Sequence, residues 1–570
     1  MTFVLGINCS GLHASACLVE DGRVRVAICE ERLSRVKQDR SFPHRAIAYC
    51  CDAAGISLDD VSDVYVGWNP RFYIQRSDHV LHEAHLQRGK VSYLALNELA
   101  SAVEGEITDV QQVIGRPTGD LRIHFVDHHE AHAAGAFAAS GFDRAAFLVL
   151  DGFGEHTTTA AGVATRNGVQ VHNGTRTPHS LGSFYSTFTE FVGFRPNSEE
   201  WKVMALAAYG DPERFLADVR SLVRVHEGAV ELDLSFFEFF LPFTPHRFSP
   251  KLVSAFGPPR DPAKPIEPHH MDLVAAVQAV FEEAVVDLLE HLHRTTGEPD
   301  LVIGGGAFMN SVANGKLLDR TPFDRLFVGG TPDDTGISLG SALWGAQAGG
   351  QPLAPADHHN FYGRTYSTDE VEAFLASRKL SFRKVDDPAA EAARLVAAGQ
   401  VVAWFQGGSE FGQRALGHRC ILADPTRPDS KEVVNDQVKY REPFRPFGAS
   451  VLEERAGEIF ALDPGHRPLF MESVVGLRGP WVDRLPGVTH VDRRVRVQVV
   501  PQDVDPLFHR LIQAVESHTG APVVLNTSFN TNGMPMVETP SDAVACFATS
   551  GLDALVIDRF VLEKPASGSR

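Results

Sequence analysis

Long hydrophobic runs are missing from this 570-residue chain: none approaches the roughly 18 consecutive apolar residues of a membrane-spanning helix. The start, "MTFVLGINCSGLHASACLVEDG", has no basic region ahead of an apolar stretch and reads as strands. Neither a secretory signal nor a membrane partner is therefore expected. Cysteine is sparse. The seven (Cys9, Cys17, Cys29, Cys50, Cys51, Cys420, Cys546) are odd in number and contain no paired C-x-x-C spacing. That argues against a disulfide framework and a thiolate zinc site, and predicts a reduced, cytoplasmic setting. Positive charge is also in deficit, 53 Lys and Arg against 72 Asp and Glu, a formal net charge of −19. A surface so negative repels phosphate backbones, so no nucleic-acid partner is expected unless a local channel gathers cations.

What is present is ordinary for a globular protein: 44% hydrophobic and 22% charged residues. The length predicts two to four domains. The first segment, "FVLGINCSGLHASACLVEDGRVRVAICEE", reads strand, glycine-bearing turn, strand, "DG" hairpin, strand. The later "AAFLVLDGFGEHTTTAAGVATRNGVQVH" repeats that layout, its first strand ending at Asp151 and Gly152. Two matching units so far apart predict a duplicated fold. The layout resembles the duplicated α/β core of actin and sugar kinases, and that resemblance implies a nucleotide between the halves. A third element, "PDLVIGGGAFMNSVANGKLLD", reads strand, Gly304-Gly305-Gly306, helix, where backbone N–H groups can approach an anion or ribose. A linker is expected at 351–362, between domains at 1–350 and 363–570. The Phe- and Pro-rich stretch 228–270 reads as an insertion whose aromatics form core, with an acceptor pocket as the other reading.

"VDHHEAHAAGAF" (126–137) concentrates titratable groups in an alanine-rich run that favours helix. On a helix, His128 and His132 stand at i and i+4, on one face and within reach of one divalent cation. His129 and Glu130 point elsewhere; a second supporting layer or the surface suits His129. Asp151, at a strand end, and Asp334, in the glycine-rich turn of "VGGTPDDTGISLG", complete a set of two nitrogens and two oxygens. Such a set suits iron, manganese or zinc, and Fe(II) fits a site without thiolate. In this order the "HHEAH" run, Asp151-Gly152, "GGGAFMN" and "DDTG" resemble the Kae1/TsaD-like domains of the actin-like (ASKHA) superfamily.

The densest cationic stretch is "GSEFGQRALGHRCILADPTRPDSKEVVNDQVKYREPFRPFGASV" (408–451), with Arg414, Arg419, Lys439, Arg441 and Arg445. Guanidinium forks bind phosphate oxygens in pairs, and surface ion pairing with nearby acids is the other reading. "APVVLNTSFNTNGMP" (521–535) adds Ser528 and Asn530 at a strand end, a hydroxyl- and amide-lined cradle or a capped turn. This half resembles the YrdC/Sua5 fold, with Lys439 and Arg441 matching its basic pair and Arg496 nearby. The combination, with "EEWKVMALAAYG" and "RALGHRCILADP", resembles the O-carbamoyltransferases that decorate antibiotics and nodulation factors. "EEWKVMALA" departs from the commoner "EGKVMGLA", which bears on the acceptor side.

The resemblance implies two steps. Carbamoyl phosphate and ATP, with Mg²⁺, would give carbamoyl adenylate in the C-terminal domain, with Arg414, Lys439, Arg441 and Arg445 on carbamoyl phosphate. Arg419, Arg496, Ser528 and Asn530 would meet the nucleotide, and Lys439, Arg441 and Ser528 would be catalytic. The intermediate would pass to the N-terminal domain, where His13 is the candidate base for a hydroxylated small-molecule acceptor. Lys202, Gly305 and Asn310 would meet the adenylate beside a metal held by His128, His132, Asp151 and Asp334. A homodimer is implied by related enzymes. Transfer RNA modification, hydrogenase-maturation carbamoylation and a non-catalytic nucleotide sensor are the competing readings.

Overall fold

The computed structural model describes residues 2–9, 13–69, 122–241 and 244–565. The first sheet pairs Phe3–Asn8 with Ser15–Glu20, and Ser15–Glu20 with Arg23–Cys29, both antiparallel. Asp21 and Gly22, with φ of 47° and 79°, make the tight hairpin that the "DG" pair predicts. Asp63–Val66 and Arg122–Phe125 then add in parallel on the other side of Phe3–Asn8. The second sheet repeats this pairing. Arg144–Leu150, Thr159–Thr165 and Gly168–Asn173 form antiparallel hairpins, and Asp300–Gly304 and Arg325–Val328 add in parallel to the first of them. Both second hairpins carry a register irregularity, at Leu18/Val19 and Ala161/Gly162. The expected duplication is thus present strand for strand.

Two helices fill the space between the sheets, His128–Ser140 and Ile337–Ala348. They cross at glycines. A Cβ on Gly340 would stand 1.9 Å from the Ala131 carbonyl oxygen, and Gly135 packs against the Gly340 backbone. Only this close approach lets the first turn of one helix meet the turn that starts the other. The long helix Pro268–Thr296 covers the second sheet, with proline in its first turn and Gly297 (φ 67°) closing it. Phe237, Phe248 and Phe256, from the Phe-rich insertion, are buried with Phe184, Phe188 and Phe191, so those aromatics are core.

The C-terminal half holds a nine-stranded mixed sheet centred on Val402–Phe405, Arg419–Ala423, Val523–Ser528, Gly448–Leu452 and Arg494–Val500. Residues 351–362 carry no helix or strand, and they are packed. The Ala27 N–H donates to the Tyr362 carbonyl, and Asn360 is buried. The halves interlock elsewhere too. Arg32, fully buried, donates to the Glu410 and Gly412 carbonyls at 3.2 and 2.7 Å, and Phe411 sits among N-terminal core residues. No helix among the described residues is long and apolar enough to cross a membrane.

Candidate metal centre and arginine cluster

The helix crossing sets the first cluster. His128 and His132 lie one turn apart at the start of their helix, Asp151 follows the strand Arg144–Leu150, and Asp334 opens the turn before Ile337–Ala348. His132 Nε2 is 3.1 Å from Asp151 Oδ2, His128 Nε2 is 3.5 Å from the same oxygen, and Asp334 Oδ1 is 3.6 and 3.7 Å from the two rings. One donor atom from each residue lies within 4.8 Å of the others. That spread suits ligands around one ion at about 2.0–2.2 Å.

Electrostatics agree with the geometry. Burial alone would lower the basicity of His128, but the Asp151 and Asp334 carboxylates push it up to about 9. Burial would raise Asp151, yet the two histidines hold it well below the usual carboxylate range. His128 Nε2 is buried and has no hydrogen-bonding partner among the described residues. Two carboxylates converging on a buried, unsatisfied imidazole nitrogen fit a divalent cation with nitrogen and oxygen ligands. His129, by contrast, is buried, with Nδ1 2.7 Å from Thr157 Oγ1. It is no surface group.

His13 lies beside this cluster. Its backbone is in the left-handed region (φ 68°), held by Asn8, whose amide donates to the carbonyls of His13 and Asp334 at 3.1 and 2.9 Å. Its Nε2 is 3.2 Å from Gln413 Nε2, which also donates to Asp333 Oδ2 at 2.5 Å. Gln413 comes from the C-terminal half.

Register assembles the second cluster. Gly448 pairs with both Arg496 and Asn526, so Ser528, the loop before Gly448 and Arg496 meet at one end of the sheet. A π-helical turn, Asn435–Lys439, delivers Lys439 to Ser528 and Asn530. The Lys439 ammonium donates to the carbonyls of both and to Asn530 Oδ1 at 2.8 Å. Burial, reinforced by Arg441, holds its basicity well below that of a free lysine. Arg441 lies 4.3 Å from the Phe447 ring and donates to Asn435 Oδ1. Burial and the charge of Arg445 push it down to about 9. Arg496 is depressed by burial and then by Arg414, Arg441 and Arg445. The Nε atoms of Arg445 and Arg496 are buried and have no hydrogen-bonding partner among the described residues. Crowded cations, two of them with unmet donors, are what an anionic ligand would relieve.

Four expected residues are held by other contacts. Arg419 turns to the opposite face of its strand from Cys420; its guanidinium is fully buried, stacks 3.6 Å over Phe405 and donates to the Gln406 and Gly407 carbonyls. Those bonds brace the fold. The Gly305 N–H donates to the Pro332 carbonyl, and its φ of 95° allows packing against Leu150, where a Cβ would stand 2.1 Å from the carbonyl oxygen. That glycine shapes the turn. The segment after it is a 3-10 turn and a one-turn helix, Ser311–Asn314, and not the longer helix expected. Asn310 exchanges hydrogen bonds with Gln278 and so orients it. Lys202 pairs with Glu199 and with Glu442 of the other half, at 2.8 and 2.7 Å.

Between the halves lies a cavity of about 390 Å³, walled by Gln278, Ser311 and Lys316 on one side and by His490, Arg494 and Arg496 on the other. It reaches the arginine cluster, while none of the four metal-ligating candidates lines it. The two clusters are joined instead through consecutive residues, Gln413 beside His13 and Arg414 beside Arg496. Neither Gln413 nor Asn8 stands out in sequence, since an uncharged amide carries no pattern.

Residues 4–343 match the family described as Carbamoyltransferase N-terminus, and residues 393–564 match Carbamoyltransferase C-terminus. Nodulation protein NolNO of Sinorhizobium fredii is 35% identical over 96% of this chain and 78% of its own length. Nodulation protein NolO of Bradyrhizobium diazoefficiens is 37% identical over 78% of this chain and 80% of its own. Among solved structures, HypF of T. kodakarensis aligns with 62% of this chain and 48% of its own at 14% identity, with a TM-score of 0.32, too distant to argue from. With both family domains matched in order along one polypeptide, the chain belongs to the carbamoyltransferase family.

Proposed function

We propose that this carbamoyltransferase is ATP-dependent and moves the carbamoyl group to a hydroxyl of a small molecule, a sugar or an antibiotic. Carbamoyl phosphate, water and ATP give carbamoyl adenylate, pyrophosphate and phosphate in the C-terminal half, read as YrdC-like. Water enters because cleaving carbamoyl phosphate to carbamate and phosphate consumes one molecule. The carbamate oxygen then displaces pyrophosphate from the α-phosphorus. Arg414, Arg441, Arg445 and Arg496 neutralise the phosphates, and Lys439 holds the Ser528–Asn530 cradle in place for them.

Carbamoyl adenylate is labile in water, so making and consuming it within one polypeptide suits it. In the second step the acceptor oxygen attacks the carbonyl carbon, its proton passes to His13 Nε2, and the bond to the phosphate oxygen breaks to release AMP. His128, His132, Asp151 and Asp334 would hold a divalent cation, iron or another metal, which would supply positive charge to offset that developing on the leaving phosphate.

The observation that carries this reading is the meeting of a cation-ligating cluster and an anion-binding cluster across one domain interface, bridged by Gln413 and Arg414. The test supplies labelled carbamoyl phosphate, ATP, Mg²⁺ and a panel of hydroxylated sugars and antibiotics. AMP, pyrophosphate and phosphate should appear in equal amounts, with an acceptor heavier by one carbamoyl group. AMP release that ignores carbamoyl phosphate, or ATP binding without turnover, ends the proposal.

A further inference from the structure

We infer that Gln413, supplied by the C-terminal half, is the positioning residue that fixes the tautomer of His13 and so sets the base for transfer in the N-terminal half. The inference rests on the reading of His13 given above and extends it.

The turn that carries Gln413 is built against the other half of the molecule. Phe411 is buried among N-terminal core residues. Arg32 donates to the carbonyls of Glu410 and Gly412. Gly412 sits at φ 109°, where a Cβ would stand 2.6 Å from the Thr331 side chain. Gln413 therefore has little freedom once the halves are docked.

Its amide then meets two acceptors. The nitrogen is 2.5 Å from Asp333 Oδ2 and 3.2 Å from His13 Nε2. Thr335 Oγ1 donates to the same carboxylate oxygen at 3.2 Å, which marks that oxygen as an acceptor. Turning the amide over would set its oxygen against the carboxylate at that short distance, so the nitrogen belongs there. One N–H goes to Asp333 and the other points at His13. His13 Nε2 thus accepts, and the ring proton resides on Nδ1.

An imidazole with a lone pair on Nε2 is the form that takes a proton from a hydroxyl. The two contacts differ in strength. The contact with Asp333 is short, whereas 3.2 Å to the ring is at the long end of the hydrogen-bond range. An acceptor hydroxyl can replace the amide at Nε2 while Gln413 stays anchored to Asp333. The acceptor proton then moves to Nε2 as the new oxygen–carbon bond forms and AMP departs with the electron pair of the broken bond. Because the amide is carried by the activating half, the base is set only when the two halves are docked.

The test is Gln413→Met, which keeps the length and loses the amide, with Gln413→Ser read in the same way should the thioether crowd Asp333. Transfer should fall about 10- to 100-fold in kcat, as for a base deprived of its orientation. The acceptor KM should stay within about threefold, and carbamoyl phosphate-dependent pyrophosphate release should change far less than transfer. In metal-free protein with ¹⁵N-labelled histidine, the His13 signals, identified by their loss in His13→Asn, should report Nδ1–H in the parent. In the variant they should report a mixture of both tautomers. An unchanged ring spectrum, unchanged transfer, or an equal fall in both half-reactions overturns the inference. Should the parent protein form no carbamoyl adenylate, the functional proposal falls, and the ring spectrum still decides the role of Gln413.

Discussion

The Trp201 ring of the N-terminal half lies 3.7 Å from the Arg445 guanidinium of the C-terminal half. Arg445 also pairs with Glu442 at 3.4 Å, and Glu442 is shared with Lys202 at 2.7 Å. The tryptophan therefore holds a cation of the anion-binding cluster between an aromatic face and a carboxylate. It stands in the "EEWKVMALA" run, where the sequence departs from its commoner form.

Removing that ring tests whether Arg445 serves carbamoyl phosphate. A partly desolvated cation–π contact is worth roughly 1 kcal/mol, so Trp201→Ala should raise half-saturation by carbamoyl phosphate about fivefold. Trp201→Phe should recover most of the loss. Pyrophosphate release measured against carbamoyl phosphate concentration checks this. An unaltered half-saturation in the alanine variant removes Arg445 from that site.

Lys439 is held differently. Its ammonium meets four acceptors from Ser528 and Asn530 and has no carboxylate partner among the described residues. Lys439→Met should lower pyrophosphate release by more than about 100-fold, because the cradle loses both a phosphate charge and its own brace. Transfer from supplied carbamoyl adenylate should fall far less. A parallel collapse of both reactions contradicts the assignment of Lys439 to the first step.

At the metal centre, Asp334→Asn keeps the shape and removes one charged donor. Loss of a direct ligand should exceed the about 10- to 100-fold weakening seen when an outer partner of a ligand is removed. Elemental analysis of the purified variant should show most of the metal gone, and transfer should fall with it. Dialysis of the parent against a chelator should reproduce the loss, and readdition of Fe(II) should restore it. Full transfer by metal-free protein refutes a cation's part in that step.

The paired hairpins and the four metal-ligating candidates were legible because each has a local signature. A tight "DG" turn, an i, i+4 histidine pair and a carboxylate at a strand end all follow from spacing within a few residues. What was hidden depends on direction and on distant contacts. Arg419 and Arg414 share one cation-rich run, yet the pleat turns Arg419 into the sheet's interior, a face that charge pattern cannot report. Gly305 looked like an anion-approach glycine, whereas its N–H is taken by Pro332 from another segment. Gln413 was invisible because its importance lies in His13, exactly 400 positions away in the chain.

Glu472 gives a prediction for stability. It is buried, its carboxylate accepts from the Phe470 N–H at 2.7 Å, and its own carbonyl receives Asn314 of the other half at 2.8 Å. Burial pushes its carboxyl from 4.5 to about 8, against the lowering effect of backbone donors. Between those pH values the folded chain keeps a proton that the unfolded chain has lost. The favourable contribution is therefore complete below about pH 4.5 and is lost as pH rises through 8, a change of about 5 kcal/mol. Glu472→Gln has no proton to lose at this position. Its melting temperature should match the parent near pH 5 and exceed it by several degrees at pH 8.5. Calorimetric scans at both values check this, and a gap of the same size at pH 5 assigns the effect to packing in place of ionisation.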